Sequence, residues 1–422
     1  MISIHTPDVI ARNVQDVLVD QIVKGLTERR AQLPVVTKAA GRSNREIVFR
    51  GSFEDVNEAF YGRAWSDGLP IVPPTVDKIE AFLRFTDRAP EEVLGVLLPS
   101  QASATVWNVA VNGVMAGCEP RHMPILLAIV EVMAAPEFGL KHAGATPGWE
   151  AIILLNGPVI RQLGFNYQGG VQRPGNRANT SIGRFFRLYA RNVAGFLPGL
   201  TDMATFGHMF RAVVPENEAV CDEIGWQPLH VARGFAASDS VVTIASARAV
   251  SDPLLTAGEN AERHLDYMVD WVKRMIEPYQ ASRNYTESHV LLMSPVIAAT
   301  IAAGGYSKEG VNDYLKKNAL VPARYFEWSM TQGLSHPQGT TLCELVERGV
   351  LPQAWCTSDD PERLVPLMLP PSRFLVVVTG DPTRNRSCLY RQNFNQGYAT
   401  SRKIRFPKDW DALLSRATTH EQ

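Results

Sequence analysis

The stretch RPGNRANTSIGRFFRLYARN, residues 173–192, combines a Pro-Gly turn, a polar run and a helical pattern that carries arginines. The polar residues after the turn can cap the helix that follows. Unpaired backbone N–H groups at a helix start attract anions, and nearby guanidinium groups strengthen this attraction. The stretch therefore predicts a site for a carboxylate or a phosphate.

The arginines of this helix differ in their distance from its start. Arg184, Arg187 and Arg191 share one face, because their spacing is i, i+3 and i+7. The alternative interpretation is a solvated arginine face on a surface helix. The residues nearest the helix start favour the anion site, and the expected ligand-binding residues here are Asn176, Arg177, Asn179 and Arg184.

Short apolar runs that end in glycine, serine or proline predict the sheet. Such continuous runs are typical of strands covered on both faces, as in α/β proteins. We predict an α/β fold that has a mixed sheet with helices on both faces, plus an N-terminal helical arm. The predicted strands are 151–157, 240–246, 289–294 and 374–380, and the predicted helices after them are 178–195, 259–278, 295–303 and 307–318.

The predicted organisation has three parts: residues 1–45 as helical arm and linker, 46–256 as an N-terminal lobe with the anion-binding turn, and 257–422 as a C-terminal α/β lobe. Apolar residues recur at helical spacing over residues 7–31. This arm either packs on a second copy, as a homo-oligomer contact, or docks on its own domain.

Composition excludes several classes of protein. The chain has 422 residues, 45% of them hydrophobic, and a net charge of −1, so no basic excess points to nucleic acid or to a membrane surface. The longest apolar run, 123–135, is interrupted by Glu131. Five cysteines without a Cys-x-x-Cys pair argue against a disulfide framework and a structural zinc site. We expect a soluble, cytoplasmic, reduced protein.

Cys118 is the candidate nucleophile or redox thiol. It precedes Glu119 and Pro120, so it lies at the junction of two predicted helices, close to Arg121 and His122. The positive end of the second helix would favour the thiolate, whereas the negative end of the first would raise the thiol pKa. The alternative is a small buried cysteine at a tight helix junction.

A second group of candidate catalytic residues follows in the chain. His208 is the preferred proton carrier, and Asp202 or Glu216 could orient it. Polar loops of this kind also build structural hydrogen-bond networks. His230 is flanked by Leu229 and Val231 and is interpreted as structural, although His208, Glu216 and His230 together would suit a metal-dependent hydrolase.

The loop after the last predicted strand, residues 379–387, is the second candidate ligand-binding segment. Ligands of α/β proteins bind beyond the carboxyl ends of strands. Asn385 and Arg386 are the expected ligand-binding residues, with Arg384 and Ser387 beside them. If this loop and the 174–184 turn face one cleft, the ligand carries more than one negative charge.

Five motifs taken together resemble a bacterial protein family, some of whose members are encoded beside, or fused to, a small protein with a selenocysteine-Gly-Ser-Cys motif. The motifs are DGLPIVPPT (67–75), VNGVMAGC (111–118), PGNRAN (174–179), TDMAT (201–205) and LHVARGF (229–235), and the resemblance covers roughly residues 52–406. It implies thiol or selenol redox or sulfur chemistry with a small thiol or selenol protein as partner, because this chain lacks that motif itself.

Two departures from the family touch loops of the predicted site. Ala145-Thr146-Pro147 stands where the family has Thr-Thr-His-Pro, and the stretch between His208 and Glu216 is shorter. We expect an enzyme, or the large subunit of one, that acts on a small anionic metabolite. A binding or scaffold subunit that serves a separate thiol-bearing partner is the main alternative. The sequence identifies no cofactor.

Overall fold

The structure is a computed structural model that describes residues 7–27, 45–208, 213–283, 286–332, 336–393 and 396–419. Its helices are α1 Pro7–Asn13, α2 Val19–Thr27, α3 Phe53–Gly62, α4 Val76–Leu83, α5 Val106–Met115, α6 Met123–Ala134, α7 Val159–Gln162, α8 Arg177–Tyr189, α9 Glu218–Glu223, α10 Leu229–Ala232, α11 Ala261–Met275, α12 Tyr279–Ser282, α13 Pro295–Ala303, α14 Lys308–Asn318, α15 Ala323–Gln332, α16 Leu342–Glu347 and α17 Trp410–Thr419.

The strands of the described residues are β1 Val93–Leu97, β2 Ala102–Thr105, β3 Glu150–Asn156, β4 Val213–Pro215, β5 Val241–Ala247, β6 Ala249–Val250, β7 Leu254–Leu255, β8 Ser288–Met293, β9 Leu320–Pro322, β10 Leu364–Pro366, β11 Arg373–Val378, β12 Arg386–Arg391 and β13 Thr400–Lys403. Strands β3, β5, β8 and β11 coincide closely with the four apolar runs. The α/β class and the N-terminal helix are therefore confirmed.

The main strands form two mixed sheets. The first has the order β13-β5-β3-β4, and the second has the order β11-β8-β12-β6, with β7 also paired to β12. Both sheets have the same connection order. In each, the main strand that comes first in the chain is central: it pairs in parallel with the second main strand and antiparallel with the third. In the first sheet these strands are β3, β4 and β5, and in the second they are β8, β11 and β12.

The two sheets pack face to face, which explains why each main strand is apolar along its whole length. Ile152 and Leu154 of β3 belong to one buried cluster with Val290 and Leu292 of β8. The alternate residues of β3 point the other way, into a core shared with α5, α6 and α8. Helices α11, α13 and α14 form the corresponding core outside the second sheet. One face of each sheet is thus covered by helices and the other by the second sheet.

The chain returns to the first sheet at its C-terminal end. Strand β13 pairs with β5, and Ile404 and Trp410 are buried in the core of the first sheet. At the other end, α1 and α2 are joined by a π-helical turn, Val14–Leu18. The predicted arm extended to residue 31, and residues 28–31 lie outside the described part.

Two findings bear on the expected compartment and membrane contacts. Cys343 and Cys356 are joined by a disulfide, which corrects the expectation that the cysteines are unpaired. The sequence did not indicate this disulfide, because the 12 residues between the two cysteines form no recognisable disulfide motif. Only folding brings α16 against the turn at 353–355. Among the described residues, no single helix is long and apolar enough to span a bilayer; Pro120–Ala134 and Pro136–His142 reach that length only together, across a 70° bend.

Candidate functional site

The parallel strands of both sheets end side by side, and we call this the carboxyl edge: the ends of β3, β4, β8 and β11. The backbone N–H of Asn217 donates to the Val378 carbonyl at 2.7 Å, and the Thr379 hydroxyl donates to the Pro215 carbonyl at 2.9 Å. These bonds join β4 of the first sheet to β11 of the second. The carboxyl edge is therefore one continuous surface built by both halves.

Glu216 lies at the centre of this junction and is fully buried. Its Oε1 accepts from Lys308 Nζ at 2.5 Å, and its Oε2 accepts from the Leu229 amide at 2.6 Å and from Asn156 Nδ2 at 2.8 Å. Burial opposes ionisation, but Lys308, the Leu229 amide and Asn156 outweigh burial and hold the Glu216 pKa below its usual range. Glu216 is therefore a buried carboxylate that keeps its charge.

A second carboxylate lies beside the first. Glu218 Oε1 accepts from Asn156 Nδ2 at 2.9 Å and from the Gly157 amide at 2.7 Å, and it is 3.4 Å from His230 Nδ1. His230 is completely buried, and neither of its ring nitrogens has a hydrogen-bond partner among the described residues. Because Glu218 is partly exposed, it connects the buried Glu216 network to the surface of the carboxyl edge.

The side-chain amides of Asn176 and Asn179 hold the Pro-Gly-Asn turn in place. Asn176 caps α8 by accepting from the Asn179 amide at 3.1 Å, and its Nδ2 donates to the Gly164 carbonyl at 2.8 Å. Asn179 is 1% exposed, and its side chain bonds to the backbone of Asn166 and Val213. The expectation that Asn179 binds ligand is therefore corrected: its amide is used in joining the turn to β4.

The two predicted ligand-binding loops meet at the carboxyl edge. The Gly380 amide donates to the Tyr167 carbonyl at 3.0 Å, the Thr379 hydroxyl oxygen lies 3.2 Å from the same carbonyl, and Gly169 lies beside Asp381. Residues 166–170 lead directly into the Pro-Gly turn. The segment that leads into the turn and the 380–387 loop are thus neighbours.

The exposed arginines of these loops include Arg177, Arg384 and Arg386. Arg177 donates through Nε to the Gly117 carbonyl at 3.1 Å and lies 3.0 Å from Glu119 Oε1, with 62% of its side chain exposed. Arg384 is 75% exposed and lies 4.0 Å from Asp381. Arg386, the first residue of β12, is exposed and donates to the carbonyl of Asn385. These guanidinium groups face solvent at the edge where the loops converge.

Arg184 and Arg187 have different roles from Arg177. Arg184 makes a two-point ion pair with the buried Asp67, at 2.8 and 3.1 Å, and also donates to the carbonyls of 69 and 70. Arg187 bridges Glu150 at 3.2 Å and Asp202 at 2.6 Å. Arg184 therefore belongs to the structural framework, contrary to the expectation that it binds ligand, because its Nε and Nη2 are engaged by the buried Asp67 and two carbonyls.

Cys118 is a buried thiol at the end of α5, with 5% exposure. Burial raises its pKa to about 12, although Ser181 and Arg177 act in the opposite direction. A thiol with this pKa is protonated at neutral pH. The expectation of a reactive thiolate is corrected, since the helix junction excludes the water that would stabilise the charge.

The opposite edge, where β3 and β8 begin and β5 and β12 end, is called the amino edge. Asp202 lies there and pairs with Arg187 in the last turn of α8. Glu150 lies close by and pairs with the same arginine. His208 is also at the amino edge, where burial, Arg248 and Arg391 lower its pKa. The predicted set of Cys118, His208, Asp202 and Glu216 is therefore divided between opposite edges, and His208 cannot act on a group at Cys118.

Sequence reasoning missed the charged residues that tertiary structure adds to both edges. Lys308 is the partner of Glu216, and it begins a helix 92 residues further along the chain. Arg248 and Arg391 share Glu277 at the amino edge, with contacts of 2.5 and 3.3 Å. Arg248 directly follows β5 and Arg391 ends β12. Their positions at strand ends were the sequence signal that could have indicated them.

The described residues contain no group of three or more His, Cys, Asp or Glu side chains arranged to hold a metal ion. The proposed hydrolase ligands are separated, because His208 lies at the amino edge and Glu216 and His230 at the carboxyl edge. Comparison of the chain with protein-family models, with curated proteins and with solved structures gives no match, so the residues themselves carry the functional argument.

Proposed function

We propose that the chain binds a small anionic metabolite at the carboxyl edge and acts as an enzyme or as the large subunit of one. The observation that carries this proposal is the contact of the 379–387 loop with the Tyr167 carbonyl, in the segment that leads into the arginine-bearing turn. It brings Arg177 and the Arg384–Arg386 segment to the edge at which α/β proteins bind ligands. The ligand is a carboxylate or phosphate with more than one negative charge.

The charge distribution supports an anionic ligand. Arg177, Arg384 and Arg386 are exposed, and each can form a charge-assisted bond to an oxyanion. Asn385 lies between Arg384 and Arg386, whereas the Asn176 side chain, also in the predicted set, is engaged in capping α8 and in its bond to the Gly164 carbonyl. Beneath the loops, Lys308 balances the charge of Glu216, so the buried carboxylate does not repel the ligand.

A binding or scaffold subunit for a separate thiol or selenol protein is the second candidate. It is favoured by the state of the thiols in this chain. Cys118 and Cys221 are buried, Cys388 is half-buried, and burial raises the pKa of all three. Thiol chemistry at the carboxyl edge would then need a sulfur or selenium atom from the partner implied by the family resemblance.

Binding of two probe anions tests the proposal. Succinate and inorganic phosphate are titrated into the full chain by calorimetry, with Arg177→Ala and Arg386→Ala as variants and Arg416→Ala, on the exposed face of α17, as matched control. Each of the first two variants should weaken binding by about 10-fold or more, because a hydrogen bond to a charged group contributes about 1.5–3 kcal/mol. Equal binding by all four proteins would exclude this edge as the anion site.

A further inference from the structure

The N-terminal arm, residues 7–27, presents an apolar face that its own chain leaves exposed. None of its described side chains, residues 8–27, is buried. Val14, Leu18, Ile22 and Leu26 recur every four residues, and Ile22 is 50% and Leu26 82% exposed. An isolated helix of this length is marginal in water and is normally stabilised by packing of its apolar face.

An apolar groove lies on the body next to the place where the arm's connection ends. The extended segment 45–52 forms its outer wall, held by an ion pair of 2.9 Å between Arg45 and Glu91. Buried side chains of α3, α4 and α5, including Phe60, Ile79 and Trp107, line its floor. The cavity volume is about 1020 Å³, large enough to accept side chains from a partner.

We propose that the arm of one copy of this chain docks in the groove of a second copy, and that the exchange is reciprocal. In the single chain the arm is not packed in its own groove, although the arm has an exposed apolar face and the groove is lined largely by apolar side chains. The connection from 28 to 44 has 17 residues and can span at most about 56–61 Å, enough to reach a neighbouring molecule. Reciprocal exchange closes a two-fold dimer, the commonest symmetry of homo-oligomers.

The area available is that of a stable interface. Residues 7–27 form a helix about 31 Å long, and a docked face about 10 Å wide covers roughly 300 Å² on the arm and the same on the groove. Two such contacts remove about 1,200 Å² from water, which reaches the lower limit of specific protein interfaces. A single contact would cover half of that area, so the reciprocal arrangement is the stable one.

Sedimentation of the full chain at micromolar concentration tests the dimer. Ile22→Asp alters the arm and Val76→Asp alters the groove; Val76 is the first residue of α4, where an acidic side chain suits the helix start. Each should weaken dimerisation by 100-fold or more. Asn13→Asp adds the same charge to the polar face of the arm and should leave the dimer intact. A monomeric wild-type chain, or a dimer unaffected by either variant, would overturn the proposal.

Mixing experiments separate exchange between copies from other arrangements. Ile22→Asp and Val76→Asp chains should associate with each other more strongly than either associates with itself, but more weakly than wild type, because one intact arm and one intact groove form a single contact. Pairing of arm with arm would be insensitive to Val76→Asp. Ile22→Cys and Val76→Cys chains should form a mixed disulfide on oxidation. If a chain with both changes instead forms the bond within itself at high dilution, the arm docks on its own body. Circular dichroism of each variant confirms folding.

Discussion

Glu216 Oε1 and Lys308 Nζ lie 2.5 Å apart, and this ion pair joins the two halves of the molecule at the carboxyl edge. Glu216 follows β4 of the first sheet, whereas Lys308 begins α14, which covers the second sheet. Glu216 also accepts from the Val378 amide at 3.2 Å, at the end of β11. One carboxylate thus holds together the strand ends that form the base of the proposed ligand site.

Removal of one partner of this pair should be strongly destabilising. Lys308→Met leaves a buried, uncompensated carboxylate and should lower the free energy of unfolding by about 3–5 kcal/mol. Adding Glu216→Gln to Lys308→Met should recover part of the loss, because the second change removes the unpaired charge. Urea unfolding of the two single variants and the double variant measures the coupling energy. Strictly additive losses would contradict the assigned interaction.

The Asp67–Arg184 pair should contribute to stability and not to ligand binding. Asp67→Asn leaves Arg184 without its buried counter-charge, and we expect a loss of about 3 kcal/mol or more in the free energy of unfolding. Arg184→Lys should also destabilise, because an ammonium group cannot replace the two-point contact. Arg177→Ala is the matched control from the same helix, and its exposed pair should cost within about 1 kcal/mol. Comparable losses for all three variants would refute the distinction between the two arginines.

Cys118 should resist alkylation in the folded protein. With a pKa of about 12, roughly one thiol in 10⁴ is ionised at pH 8, and only the thiolate reacts. Iodoacetamide followed by peptide mapping should label the half-buried Cys388 first, since burial raises its pKa to about 11. Cys118 should be labelled only after denaturation. Rapid labelling of native Cys118 that a bound anion prevents would instead restore it as a nucleophile.

The stability of the protein should fall on mild acidification because of His122. Burial lowers the His122 pKa to about 4, against the opposing effect of Glu119. The unfolded chain therefore binds the proton more readily below pH 6.5, and stability decreases as the pH falls toward 4. Between pH 7.5 and 5 this one group should remove about 2 kcal/mol from the free energy of unfolding.

His122→Gln should remove that part of the pH dependence. The measurement is urea unfolding of both proteins at pH 7.5 and 5, with His142→Gln as control. His142 is half-buried, and burial and Lys141 lower its pKa. Its substitution should therefore change the pH dependence much less than that of His122. Identical pH profiles for wild type and His122→Gln would show that His122 is not held neutral in the fold.

Much of the secondary structure could be predicted because its causes are local. The Asn176 side chain caps α8 one residue before the helix starts, and residues 374–378 form a strand because their side chains are apolar on both faces. The division into two sheets could not be predicted, since a continuous apolar run does not distinguish a covering helix from a covering sheet. The return of β13 to the first sheet depends on pairing over more than 150 residues.

The candidate site was predicted in part. The loop after the last predicted strand indicated Arg386, because ligands of α/β proteins bind beyond strand ends. The start of the predicted helix indicated Arg177, and Glu216 was expected as a partner that orients His208. His208 was expected beside them, but it lies at the amino edge with Arg248 and Arg391. His208 was misplaced because the distance between two residues along the chain does not reveal at which edge of the sheet a loop lies.

The sequence by itself determined the α/β class and the positions of the main strands. Apolar patterns, helix caps and turn residues act over a few residues and can be read directly. Only the tertiary structure decided which arginines are held in buried ion pairs and which keep exposed side chains. Arg184 and Arg177 are seven residues apart on one helix, yet the burial of Asp67 against Arg184 makes the first structural and leaves the second exposed. The difference arises because Asp67, which is distant in the chain, is removed from water when it pairs with Arg184. No local sequence pattern indicates this burial.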